Sequence, residues 1–396
     1  MRGPLLKNCP FSRRKPKGQS QKLSTQKVLL VHSNMLFCVF ALVCLLFSLT
    51  RPQLALAKID PDRPPPLLSD EPSVGLMQTY SLALAQERYG VVETTINRIK
   101  SGRGDDSTVY LWGNLLFASW SVTMSIDLGD GPIGQRASVQ MQNARVGFEH
   151  LEGVETDSRK LAAVEEALGT LGMLDAQILS EIDGKTLASL EPAANAADHF
   201  HKALALDSTR LNARAGLLLY DFWKSNALRF ITWMPFVPDH RPAAIDGLYR
   251  IARSSHPAAP GTAVALTWVL IESGRLKEAA QLADSLLAQW GEVRGVLEPA
   301  GKAYFLMERW DDAADRYSRL AESIRSAPRL NETRLIGALH RLGHIYAAQQ
   351  KWDEVRRVAR EADSLSLTPD QRKRKKDDLN RLHELDREAQ KRLGPN

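Results

Sequence analysis

The chain has 396 residues, 44% hydrophobic and 25% charged, with a formal net charge of +6. Residues 1–57 hold nine lysines and arginines and no acid, so the remainder sets 52 − 9 = 43 bases against 46 acids, a net −3, and the basic balance is no ground for nucleic-acid binding. Cys9, Cys38 and Cys44 all lie in the same stretch; the rest of the chain has no thiol, which excludes intramolecular disulfides, zinc–thiolate sites and cysteine nucleophiles there and leaves an apolar core as the source of stability.

The N-terminus reads as an export signal. Residues 1–34 carry eight basic side chains, residues 35–49 form the apolar run MLFCVFALVCLLFSL, and Ala55-Leu56-Ala57 supplies an A-x-A site. Cleavage is expected after Ala57. The apolar run is short for a membrane span, which takes about 20 residues; with residues 28–31 just upstream, retention as an N-terminal anchor and membrane tether is the alternative. Met35 is an alternative start, although a start there would lose the basic region. Ser12-Arg13-Arg14 lacks the apolar residues that follow a twin-arginine motif, and Ala41-Leu42-Val43-Cys44 has Val43 where a lipoprotein site needs Gly or Ala. A periplasmic or cell-envelope location is predicted, with two-stage import into a thylakoid lumen as the other compartment that suits such a leader. Residues 58–72 contain Pro61, Pro64, Pro65, Pro66 and Pro72 and read as an extended, semi-rigid spacer.

Downstream the pattern is helical throughout. Tyr80, Ala83, Tyr89, Val92 and Ile96 carry a first apolar periodicity, and Ala196, Phe200, Ala203 and Leu204 a second. Arg103-Gly104-Asp105 matches an adhesion tripeptide, a match short enough to arise by chance. The stretch from Gly129 to Gly134 reads as an irregular insert and has no preceding strand of the kind that a phosphate-cradling loop requires. Residues 227–238, ALRFITWMPFVP, interrupt the periodicity. There Phe230, Trp233, Met234 and Phe236 form a candidate apolar patch for a partner or a membrane surface, or else a buried connection between helical blocks.

From residue 261 the chain repeats itself. Leu266, Leu270, Gly274, Leu276 and Ala279 are followed by Ala300, Gly301, Tyr304, Trp310, Ala313 and Tyr317, and then by Leu342, Gly343, Tyr346, Trp352, Val355 and Ala359. Ala279 and Ala313 are 313 − 279 = 34 positions apart, whereas Gly301 recurs only after 343 − 301 = 42. The excess is assigned to a longer loop at residues 325–331. Small residues permit a close helix crossing, and the tyrosines fill the grooves beside it. This order of small residue, aromatic, alanine and aromatic resembles the tetratricopeptide repeat, clearly over residues 261–365 and faintly over the two upstream segments. The proline that often closes each repeat is missing from its place. The resemblance implies an all-α, right-handed superhelical solenoid of antiparallel helix pairs, divergent over 73–260, regular over 261–365, and ended by a charged capping helix over 366–396. In that last segment Thr368-Pro369-Asp370-Gln371 forms an N-terminal capping signature, followed by Leu379, Leu382, Leu385, Ala389 and Leu393 on one face.

By the same resemblance the first helix of each repeat lines a concave groove. That places Trp268, Ile271, Glu272, Lys302, Phe305, His340, Arg341 and His344 as candidate contacts for an extended or helical peptide. His340 and His344 stand at the spacing by which two imidazoles share a metal, but Arg341 occupies the position of a zinc peptidase's glutamate and no third ligand is identifiable. The basic run at Arg372 to Lys376 reads as a solvated helix face. No metal, cofactor or catalytic residue is predicted. The expected function is an exported, non-catalytic scaffold for a protein or peptide partner. Its alternatives are a solute-binding accessory of a transporter, which would need an enclosed pocket, and an enzyme with a site in 100–260. That region holds His150, His199, His201, His240 and His256 without a recognised motif.

Overall fold

The computed structural model describes residues 72, 74–101, 107–128, 132–229 and 238–394. The leader, nearly all of the proline-rich spacer, the tripeptide at 103–105 and the apolar patch of Phe230, Trp233, Met234 and Phe236 lie outside the described residues.

Sixteen α-helices and no strand occur among the described residues. They form pairs in chain order: α1 (Val74–Ala85) with α2 (Tyr89–Ser101), α3 (Ser107–Leu128) with α4 (Pro132–Val154), α5 (Ser158–Gln177) with α6 (Leu190–Leu206), and α7 (Leu211–Ala227) with α8 (Arg241–Ala252). The series continues with α9 (Ala259–Glu272) and α10 (Leu276–Trp290), α11 (Arg294–Leu306) and α12 (Trp310–Arg325), then α13 (Glu332–Ala348) and α14 (Trp352–Ser364). Each pair also packs on the next, so apolar faces that no single pair could bury are covered by neighbours. The described residues form an all-α helical solenoid of consecutively packed pairs. A short α15 (Pro369–Arg374) leads into α16 (Lys376–Leu393), which packs on α13 and α14 as the first helix of another pair would. The Thr368 hydroxyl and the Gln371 side chain each accept the other residue's backbone N–H, at 3.2 and 2.9 Å, which starts α15. The segment from Gly129 to Gly134 is not wholly a loop, since α4 begins at Pro132, a residue suited to a first helical turn.

Amphipathic spacing sets which face each helix buries. In α12 the buried residues are Ala313, Tyr317, Leu320, Ala321 and Ile324, each with another three or four positions away on the same face; in α14 they are Val355, Val358, Ala359 and Ala362. Gly301 lies under the Tyr317 ring, where an added Cβ would come within 2.9 Å of it, and Gly343 lies under Leu382 in the same way at 2.8 Å. One continuous apolar core runs from Leu211 to Ala389. The N-terminal helices have cores of their own. Val109, Leu116 and Trp120 of α3 join α1 and α2, whereas Trp112, Leu115, Ala118 and Val122 join α4 and α5.

The turns inside four pairs share one geometry. Glu87, Gly274, Glu308 and Gln350 hold left-handed backbone, with φ of 57°, 74°, 58° and 59°. In each, the next N–H reaches five residues back, from Arg88 to Ala83, Arg275 to Leu270, Arg309 to Tyr304 and Lys351 to Tyr346, at 2.8 to 3.0 Å. This double-bonded cap satisfies the last carbonyls of the first helix and reverses the chain.

The long recurrence before Gly343 is only partly a loop. The connection to α13 spans residues 326–331 against 291–293 in the preceding pair, and α13 has 17 residues where α11 has 13. Much of the excess is therefore an additional helical turn ahead of Gly343, begun by Asn331, whose side chain caps it at Arg334 N.

Candidate functional site

Helices α9, α11 and α13 are the first members of three consecutive pairs and carry most of the predicted contacts. Near the end of α9, Glu272 accepts a hydrogen bond from Lys302 Nζ at 2.9 Å, and the same ammonium lies 5.0 Å from the centre of the Trp268 ring. One pair later, the Arg341 guanidinium lies 5.4 Å from the Phe305 ring, whose edge meets Trp310 at 5.5 Å and 80°. Each ring is thus flanked by the cation of the following pair. Such stacking holds long side chains in place and leaves part of each in water. Trp268, Glu272, Lys302, Phe305 and Arg341 are all half-buried.

The other predicted residues stand elsewhere. Ile271 is only 4% exposed and belongs to the continuous core with Leu266 and Leu270, so it lines no groove. His340 and His344 face α16 instead of an open surface. Nδ1 of His340 lies 3.0 Å from Asp378 Oδ1, and its Nε2 lies 3.1 Å from Nε2 of His344. Two ring nitrogens this close need one donor and one acceptor, so at least one ring is neutral. Burial, reinforced by His340, Arg381 and Arg341, pushes His344 down to about 3 and makes it that ring. Burial alone would raise Asp378, but the His340 hydrogen bond and Lys375 outweigh it and hold the carboxyl at about 2. The two imidazoles therefore help to seat the terminal helix.

Among the described residues, one group has three metal-type ligand atoms within 4.8 Å of one another, that of Glu152, Glu165 and His199. Lys202 Nζ stands 3.0 Å from Glu152 and 3.3 Å from Glu165, and His199 Nδ1 stands 2.6 Å from Glu165. The carboxylates already have their cation, and the arrangement reads as a bridge between α4, α5 and α6. His256 accepts the Ala258 N–H at 3.0 Å, and burial with the nearby Arg210 pushes it down to about 4, as a structural neutral imidazole.

A second polar cluster is assembled from residues far apart in the sequence. Asp127, in the last turn of α3, pairs with both Arg294 of α11 and Arg334 of α13, and accepts a hydrogen bond from Tyr89 at 2.9 Å. The Glu87 carboxylate accepts the Gly295 N–H at 2.8 Å, capping the first turn of α11 from outside that helix, and lies 3.6 Å from Arg294. Burial and the charge of Asp127 push Glu87 upward, against the Gly295 N–H and the two arginines. Asn331 donates its amide to the carbonyls of Ile126 and Asp127 at 3.2 and 3.1 Å while its oxygen caps α13. The Asp127, Arg294, Glu87 and Arg334 side chains are 5%, 12%, 14% and 16% exposed, so these charges are exchanged away from water. The one trace of this cluster in the sequence is the long recurrence, because the additional turn of α13 is capped by Asn331 and carries Arg334.

No family model matches the sequence, and no curated protein matches it. Among solved structures, yeast Tom70 is similar over 80% of this chain and 82% of its own, with 12% identity and a TM-score of 0.31. A circular tandem repeat protein described as having a novel repeat topology and enhanced subunit contact surfaces is similar over the same shares, with 14% identity and a TM-score of 0.21. Both scores are low, and function has to be read from the chain's own residues.

Proposed function

We propose that this chain is a non-catalytic scaffold of tetratricopeptide type that binds a protein or peptide along its row of first helices. The observation that supports this reading is the ladder of Trp268 with Lys302 and Phe305 with Arg341, half-buried rings held in register from one pair to the next. Affinity at such surfaces is concentrated in a few large anchors, each worth about 2 kcal/mol or more when truncated. The basic leader, apolar run and Ala55-Leu56-Ala57 support export to the cell envelope as the setting in which the partner is met. No helix among the described residues is long and apolar enough to cross a membrane; attachment by an uncleaved leader is the tether this reading includes.

One preparation tests both parts. Protein isolated from the envelope of its native host should begin at Lys58, and its crosslinked partner should be lost in Trp268→Ala and Phe305→Ala while the melting temperature changes little. An intact leader on a cytosolic protein would remove the export reading. Normal capture by both folded variants would remove these rings as anchors.

A further inference from the structure

Helices α1 to α3 do more than begin the solenoid. They reach across to pairs far along the chain, and the charged contacts that join the two parts are made at helix ends. Gln78 of α1 donates to the Ser255 carbonyl at 2.7 Å, and α1 packs on α9. The carboxylate of Glu87, at the turn after α1, takes the orphan N–H of Gly295 in the first turn of α11. The carbonyl end of α3 takes the amide of Asn331 ahead of α13, and Asp127 beside it takes Arg294 and Arg334. Carbonyl ends and acids from one part thus meet N–H ends and arginines of the other, the pairing that helix dipoles favour.

The apolar residues do not follow this connection. Those of α1 to α3 fall in clusters separate from the core that runs from Leu211 to Ala389. A junction held by polar contacts and by the packing of α1 on α9, between parts with separate cores, can open without splitting either core. It should open all at once. Removing one partner of a buried charge cluster leaves the others uncompensated, so partial separation is disfavoured.

We propose that α1 to α3 are a latched, built-in occupant of the first-helix row, held by Glu87 and Asp127, and that release of the latch opens the row to a protein partner. The latch stands on its own contacts; its inhibitory role rests on the function proposed above. Glu87 and Asp127 engage the first turns of α11 and α13, and α1 packs on α9, so each first helix that carries Trp268, Phe305 or Arg341 is in contact with α1 to α3. A partner carrying carboxylates that reach Arg294 and Arg334 would replace the latch with the same chemistry.

The test uses the full chain with Cys9, Cys38 and Cys44 changed to serine and spin labels on cysteines at the exposed Asn97 and Lys351. The unaltered latch should give one narrow distance distribution between the labels. Asn331→Asp is the selective variant. It keeps the oxygen that caps α13 but turns a donating amide into a carboxylate facing the Ile126 and Asp127 carbonyls. Asp127→Ala is the second. Both should shift the distribution to longer, broader distances while helix content by circular dichroism is retained, and a photocrosslinker at the exposed Leu306 should then capture the partner more efficiently than in the latched form. Unchanged distances in both folded variants would overturn the latch. Longer distances without increased capture would overturn its inhibitory role. Absence of capture in latched and opened forms alike would count against the interaction reading, while the distances alone still decide the latch.

Discussion

A single backbone conformation recurs at four positions with three different consequences. Gly274 adopts the left-handed turn at no steric cost, whereas Glu308 and Gln350 adopt it with a Cβ, which disfavours that region by about 1–2 kcal/mol. Both side chains are exposed, so nothing in the pair depends on them. Glu308→Gly and Gln350→Gly should each stabilise the chain by about 0.5 kcal/mol, the steric relief being partly offset by the added freedom of the unfolded glycine. Gly274→Ala should cost about 1 kcal/mol. Urea midpoints of the three variants check this, and a loss of stability in both glycine variants would mean that these side chains hold a contact. Glu87 has the same backbone but a different use. Its carboxylate engages Gly295 and Arg294, so Glu87→Gly relieves the turn and at the same time removes a latch contact.

At the scale of the helix pair, close approach is written directly into residue size. Gly301 sits under a rigid ring, with three Tyr317 atoms 2.9 to 3.2 Å from where its Cβ would be. Gly301→Leu should overpack the α11–α12 crossing and cost about 1–3 kcal/mol. Leucine at the exposed Arg309 or Asp315 should stay within about 0.5 kcal/mol. Equal melting temperatures for the two sets would mean that Tyr317 swings aside freely. This crossing is legible in the sequence because a small residue followed by an aromatic at near-constant spacing encodes it without reference to the rest of the fold. Trp268, Phe305 and Arg341 are legible for the same reason, since register along a helix decides which residues share a face. His340 and His344 keep the register but meet α16, which no spacing in the repeat foretells. Glu87 and Asp127 leave no signal at all. Asp127 and Arg334 are 207 positions apart, and each alone looks like a solvated charge on a helix. Only the inserted turn of α13 departs from the pattern.

Across the whole molecule, stability should divide along the boundary between cores. A solenoid's stability is approximately a sum of unit and nearest-neighbour terms, and the core from Leu211 to Ala389 links its units without a break. Helices α1 to α3 lack that continuity. They hold to the far pairs through Gln78, Glu87 and Asp127, and to the following helices through the smaller cluster around Phe148 and Leu171. Native-state hydrogen exchange in increasing denaturant should therefore show peptides of α1 and α2 opening before those of α11 to α14, because local opening follows the units with least shared apolar burial. The latch should narrow this gap, since each buried partner it supplies spares charges from standing alone. Asn331→Asp should then lower the opening free energy of α1 and α2 by about 1–3 kcal/mol, the cost of leaving buried polar groups unsatisfied. Peptides of α12 and α14, distant from the substitution, should change by no more than about 0.5 kcal/mol. A uniform loss of protection along the chain would show one cooperative unit, in which α1 to α3 have no separate motion for a partner to exploit.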